Sequence, residues 1–151
     1  MKIYAYDIEC FKNLFTAIFI DVDSEEEFTF YIGLDKKDNK ELKEFLKQKV
    51  VFAGYNNHSY DDAMLRYFMF YKTGNINKEL YKLSSKLVND NYRNDNQLLS
   101  LRYPREKKEN WYSVDLMKMM AFDKMGISLK QTAINLKWHR IQDLPLEPTQ
   151  K

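Results

Sequence analysis

Apolar and polar residues alternate over residues 2–8 (KIYAYDI), and the same pattern returns at residues 14–21 (LFTAIFID) and 27–32 (EFTFYI). A period of two sends successive side chains to opposite faces of a strand, so the pattern predicts three strands. The connections at residues 9–13 and 22–26 are short, which makes an antiparallel meander the expected pairing. The period then changes. Leu42, Phe45 and Leu46 recur at helical spacing among lysines and glutamates, predicting an amphipathic helix within residues 35–49. Residues 50–55 form a short apolar run, as a strand buried on both faces would. Ala63, Met64, Tyr67 and Phe68 fall on one side of a second helix over residues 59–71, with Ser59 as its expected N-cap. Further along, the pattern predicts a helix over 79–88, a polar loop at 89–96 and a strand over 111–116. A last helix over 128–136 opens on Ser128, and residues 143–148 form an extended, proline-punctuated tail. The order β-β-β-α-β-α-insert-β-α predicts an α/β domain: a mixed sheet, part antiparallel meander and part crossover strands, flanked by helices.

Composition narrows this picture. A chain of 151 residues suits one domain spanning 1–151 with one core. With 44% hydrophobic and 30% charged residues it is a globular sequence and not a disordered one. Residues 72–110 stand apart, with seven Asn, nine Lys or Arg and five Asp or Glu, and read as a polar, basic insertion. Cys10 is the single cysteine, which excludes an internal disulfide and any cysteine metal cluster. A reducing compartment, the cytoplasm (of the host cell if the protein is viral), is expected. Lys2 and then Asp7 place charge within the first seven residues with no signal-peptide pattern, and no apolar run suits a membrane span. The net charge of +2 conceals a net of −4 over residues 1–70 and +6 over residues 71–151. An acidic half suits cations and a basic half suits a polyanion, although surface charge can also simply fall unevenly.

Three carboxylates carry the candidate chemistry. Asp7 and Glu9 lie two apart near the end of the first strand, hence on one face. Adjacent carboxylates repel, and a divalent cation resolves the conflict; Mg²⁺ takes oxygen ligands, often one or two carboxylates with a substrate phosphate. A solvated strand end bearing surface charge is the plainer account of Asp-x-Glu by itself. Asp61 changes the balance, because it falls in the first turn of the helix that follows the buried strand. If that strand lies beside the first one, Asp61 reaches Asp7 and Glu9. Asp62 is the natural control, turned about 100° away around the helix.

The segment YAYDIEC, followed some fifty residues later by GYNNHSYDDAML, resembles the first two motifs of the DEDD, or DnaQ-like, proofreading exonucleases, and is most similar to the exonuclease domains of phage DNA polymerases. Asp7 and Glu9 match the first motif; Asn56, Tyr60 and Asp61 match the second. The resemblance implies a ribonuclease H-like fold and two-metal hydrolysis of phosphodiester bonds at single-stranded or frayed DNA 3′ ends, with Mg²⁺ or Mn²⁺ as the two divalent cations. It implies that Asp7 bridges both metals, that Glu9 binds one and contacts the terminal nucleotide, and that Asp61 serves the second. It also implies a polymerase module, fused downstream or supplied by another chain.

The family's third motif pairs a Tyr or His with a further metal-binding Asp on a late helix. His139 and Asp143 have the spacing of the Tyr form but run into Asp-Leu-Pro-Leu-Glu-Pro, which is no helix interior. The expectation is that the chain stops before the true motif. The alternative function is a catalytically incomplete module of the same fold that binds single-stranded nucleic acid or a polymerase partner. Phe11, Asn56, His58 and Tyr60 are the expected nucleic-acid contacts, with Phe11 the preferred base contact. Asp115, in the last strand, is expected to be structural. A nucleophile elbow and a phosphate-binding glycine loop are both absent from the sequence.

Overall fold

In the computed structural model, residues 1–71, 74–89, 109–120 and 126–138 are described. The first strand, β1, runs Ile3–Cys10, two residues beyond the alternation that predicted it. It pairs antiparallel with β2 (Leu14–Asp21) as far as Cys10 opposite Phe15. The turn is therefore confined to Phe11–Asn13, closed by the Phe11 N–H donating to the Leu14 carbonyl at 2.7 Å. Asp7 and Glu9 consequently lie inside the strand and not at its end. β3 (Glu27–Gly33) continues the meander, and a two-residue strand that the pattern did not predict, β4 (Lys36–Lys37), pairs back onto it. Gly33 (φ +119°) and Leu34 (φ +50°) make that reversal, in a region of backbone space that local hydropathy does not encode.

The chain then forms α1 (Asn39–Phe45), β5 (Val51–Gly54), a 3₁₀ turn at Asn57–Ser59, α2 (Asp61–Phe70), α3 (Ile76–Asn89) and β6 (Tyr112–Asp115). β5 lies parallel to β1 on the edge opposite β2, and β6 lies parallel to β5. The result is a six-stranded mixed sheet in the order β4-β3-β2-β1-β5-β6, flanked by helices, as the element order predicted. Tyr4, Tyr6 and Ile8 point from β1 into the core; Ala5, Asp7 and Glu9 point to the other face. On the core side Phe19 packs 4.8 Å from Phe45 of α1 and 4.9 Å from Phe52 of β5, and Phe15 stacks on Phe68 of α2. Rings of this kind each bury roughly 150–250 Å² and hold α1 and α2 against the sheet.

Ser59 is not the cap of α2. Tyr60 occupies the cap position, and the Ser59 hydroxyl turns back to Asn56 Oδ1 at 3.4 Å. The intervening 3₁₀ turn uses up Ser59 before the helix proper begins. Ser128, by contrast, caps its helix as expected, accepting the Gln131 N–H at 3.1 Å.

Two compact units divide the chain, Met1–Leu116 and Met117–Lys151. The first holds the sheet and all the elements above. In the second, α4 (Leu116–Met120, beginning at the boundary) and α5 (Leu129–Asn135) are described. The loop predicted over 89–96 loses Asn89, which ends α3, and its remaining residues, with His139, Asp143 and the tail, lie outside the described residues. Among the described residues, no helix is long and apolar enough to cross a membrane.

Candidate carboxylate site

Asp7 and Glu9 share the face of β1 that the core leaves open, because both stand at odd positions of a strand whose even positions Tyr4, Tyr6 and Ile8 are buried. What brings Asp61 to them is the length of β5. It pairs with β1 only from Ile3 to Ala5 and ends at Gly54, so the β1 edge beyond Ala5 has no strand partner on that side. The loop after Gly54 crosses this edge and delivers the first turn of α2 there. The Ile8 backbone N–H opposes the rise of both the Asp7 and the Asp61 carboxyls, and the charge of Asp7 raises Asp61, so the two acids come near one another at this edge.

The electrostatics follow from that proximity. Burial pushes the Asp61 carboxyl up to about 7; the negative charges of Asp7 and then Asp62 add to the rise, and the N–H groups of Asp61 itself and of Ile8 oppose it. Asp61 is 9% exposed. Asp7 keeps contact with solvent, yet the surrounding protein still raises it, mainly by desolvation. Glu9 is raised by desolvation and then by the charge of Asp7. The charge of Asp7 thus disfavours ionisation of both Glu9 and Asp61, an arrangement that costs stability in the absence of a counter-ion. Their donor set is hard oxygen, which fits Mg²⁺ or Mn²⁺. Among the described residues, no three His, Cys, Asp or Glu side chains form a ready-made metal cage. Mg²⁺ does not demand one, since it retains waters and takes up substrate phosphate.

Asp62 serves a different structure. It is 1% exposed, and its Oδ1 accepts the Tyr6 hydroxyl at 2.6 Å. Its Oδ2 lies 3.8 Å from His58 Nε2 and 4.0 Å from Arg66, which itself binds Glu109 at 2.7 Å. Asp62 is therefore a buried structural acid and not the inert neighbour that helix phase alone suggests.

The expected nucleic-acid contacts separate in the structure. Phe11 projects from the β1–β2 turn, 58% exposed, two residues after Glu9 and available to stack on a base. Tyr60 is half-buried; its hydroxyl is 2.7 Å from Ser84 of α3, and burial pushes it up to about 12. His58 turns toward two buried acids, with Nδ1 3.9 Å from Asp115 and Nε2 toward Asp62. Asn56 is exposed in a left-handed conformation (φ +59°), with its N–H donating to Asp115 Oδ1 at 2.9 Å. Asp115 accordingly anchors the loop that carries Asp61, the structural role expected of it. The loop also depends on Asn57, which the sequence reading passed over. It is almost fully buried, between the Tyr6 hydroxyl (3.0 Å) and Ser113 Oγ (2.9 Å). A second Asn beside Asn56 was the visible signal, and nothing local said which of the two would be buried. Burial pushes the Cys10 thiol up to about 11, which keeps it from acting as a nucleophile near neutral pH.

Comparison with protein-family models, with curated proteins and with solved structures returns no match.

Proposed function

We propose that this chain is the 3′→5′ exonuclease domain of a DNA polymerase, of the DEDD type on a ribonuclease H-like fold, acting on single-stranded or frayed DNA 3′ ends. One observation carries the reading: Asp61, fifty-four residues from Asp7 in the chain, comes close enough to it for the charge of Asp7 to raise its carboxyl, with Glu9 on the same face of β1 as Asp7. The strand order supports the fold reading, since β3-β2-β1 is antiparallel and β5 and β6 follow β1 in parallel.

Asp7, Glu9 and Asp61 would hold one or two Mg²⁺ or Mn²⁺ ions, which when bound activate a water and neutralise charge developing at the phosphoryl group. Asp61 is the acid most in need of that charge compensation, so its ionisation and cation uptake are coupled. Phe11 would orient the terminal base by stacking. The Asp115–Asn56 bond and the Asn57 contacts hold the loop so that Asp61 stays at the β1 edge.

The test is degradation of a 5′-labelled single-stranded DNA by this chain with Mg²⁺ or Mn²⁺, beside an Asp7→Ala control. A ladder shortening from the 3′ end in the first and absent in the second is expected. Strand binding without cleavage, equal in both proteins, would instead favour the non-catalytic binding module of the same fold.

A further inference from the structure

At the end of the sheet nearest Glu9, the β1–β2 turn and the beginning of α3 enclose a cleft of about 590 Å³. Its lining presents the ammonium groups of Lys12, Lys78 and Lys82, the carboxamide of Asn75 and the phenol of Tyr81, with no lining carboxylate, while the Asn77 amide that also lines it is taken up by the Ile32 and Gly33 backbone. Lys82 is held by Glu79 at 2.8 Å, while among the described residues no carboxylate lies within ion-pair distance of Lys12 or Lys78. Lysines that converge on a concavity raise the local concentration of anions, where the same charges on a convex surface would be largely screened. Tyr81, 39% exposed, presents a ring beside them. Ammonium and amide donors together with an aromatic face match a nucleic-acid strand, taking phosphate oxygens on the first and a base on the second.

Both walls of the cleft lead toward the carboxylates. Lys12 follows Glu9 by three residues. On the other wall, α3 runs from Lys78 to Ser84, ~9 Å along its axis at 1.5 Å per residue. The Ser84 hydroxyl there meets that of Tyr60, the residue preceding Asp61, at 2.7 Å. We propose that this cleft binds the sugar–phosphate backbone of the single strand whose 3′ end occupies the carboxylate site, with Lys12 and Lys78 as the phosphate contacts. The assignment rests on the exonuclease reading for the identity of the ligand, but its residues are separate from the three carboxylates, so the two can fail independently.

The experiment measures anisotropy of a fluorescein-labelled oligodeoxythymidylate with the full chain in EDTA, from about 50 to 200 mM salt, the range over which phosphate contacts are lost. The wild type is compared with Lys12→Gln/Lys78→Gln and with Lys36→Gln/Lys37→Gln on β4, and thermal melts verify that each variant is folded. Each phosphate neutralised on a single strand contributes about 0.7 to the slope of log affinity against log salt, so the first variant should lose about 1.4 of slope and bind several-fold more weakly. The β4 variant should match the wild type. RNA of the same length should lose the same slope, because the contacts are to phosphate. Wild-type binding with an unchanged slope in Lys12→Gln/Lys78→Gln would overturn the cleft and leave the exonuclease reading standing. No strand binding by the wild type at low salt, or binding of inorganic tripolyphosphate alone, would overturn it as well. Loss of cleavage in Asp7→Ala with the lysine-dependent slope intact would support the cleft independently of catalysis.

Discussion

Replacing Asp61 with Asn should stabilise the metal-free protein while removing its response to divalent cations. An ordinary aspartate titrates near 3.8, and Asp61 is pushed up to about 7 in the folded chain. Its proton is therefore held more tightly folded than unfolded. The cost of its charge is absent below pH 3.8, grows as the pH rises, and is complete above about pH 7. At 1.36 kcal/mol per pH unit the interval corresponds to roughly 4 kcal/mol, the upper bound on what Asp61→Asn can restore at pH 8. Asn keeps the shape and carries no charge, so the gain should shrink to nothing near pH 4. The assay is urea unfolding of metal-stripped protein at pH 4, 6 and 8, followed by fluorescence of the buried Trp111. Added Mg²⁺ or Mn²⁺ should stabilise the wild type at pH 8 by mass action on the folded state, and should do so much less in the variant. The reasoning fails if Asp61→Asn is no more stable than wild type at pH 8, or if its advantage is the same at pH 4 and pH 8.

The remaining expectations concern the supports of that site. Asp7→Ala should remove most Mn²⁺ uptake in calorimetry, since it deletes the acid that repels both Glu9 and Asp61; unchanged affinity would show that no cation is held between them. Tyr6→Phe removes the 2.6 Å bond to Asp62 and should cost about 1–3 kcal/mol in denaturant unfolding, the range for leaving a buried acceptor without its donor. Asp62→Asn should likewise weaken folding, so it can serve as a comparison for Asp61→Asn in activity but not in stability. A Cβ at Gly54 would lie 2.7 Å from Asn57 Cβ and 3.0 Å from the Tyr6 ring, so Gly54→Ala should cost about 1–3 kcal/mol through overpacking and displace the loop that carries Asp61.

Much of the architecture was legible along the chain because it depends on local periodicity. Alternation in KIYAYDI and LFTAIFID is a property of neighbouring residues, and it already places Asp7 and Glu9 on one face and Tyr6 and Ile8 on the other. The amphipathic spacing of Ala63, Met64, Tyr67 and Phe68 likewise announces α2 before any partner is known. Local pattern could not give the reach of β1 through Cys10, which comes from cross-strand pairing with Phe15, or the cap of α2, which the 3₁₀ turn shifts to Tyr60. Asp61 and Asp62 are adjacent and chemically identical. Only the tertiary structure sends one within reach of the Asp7 charge and the other to the Tyr6 hydroxyl, because β5 stops at Gly54 and leaves that stretch of β1 open to the loop. The same holds for Lys12, an unremarked turn residue until α3 packs opposite it and closes a cleft. The sequence by itself determined the faces of each element; which faces meet was decided by pairing and packing between residues far apart in the chain, a long-range choice that local periodicity does not encode.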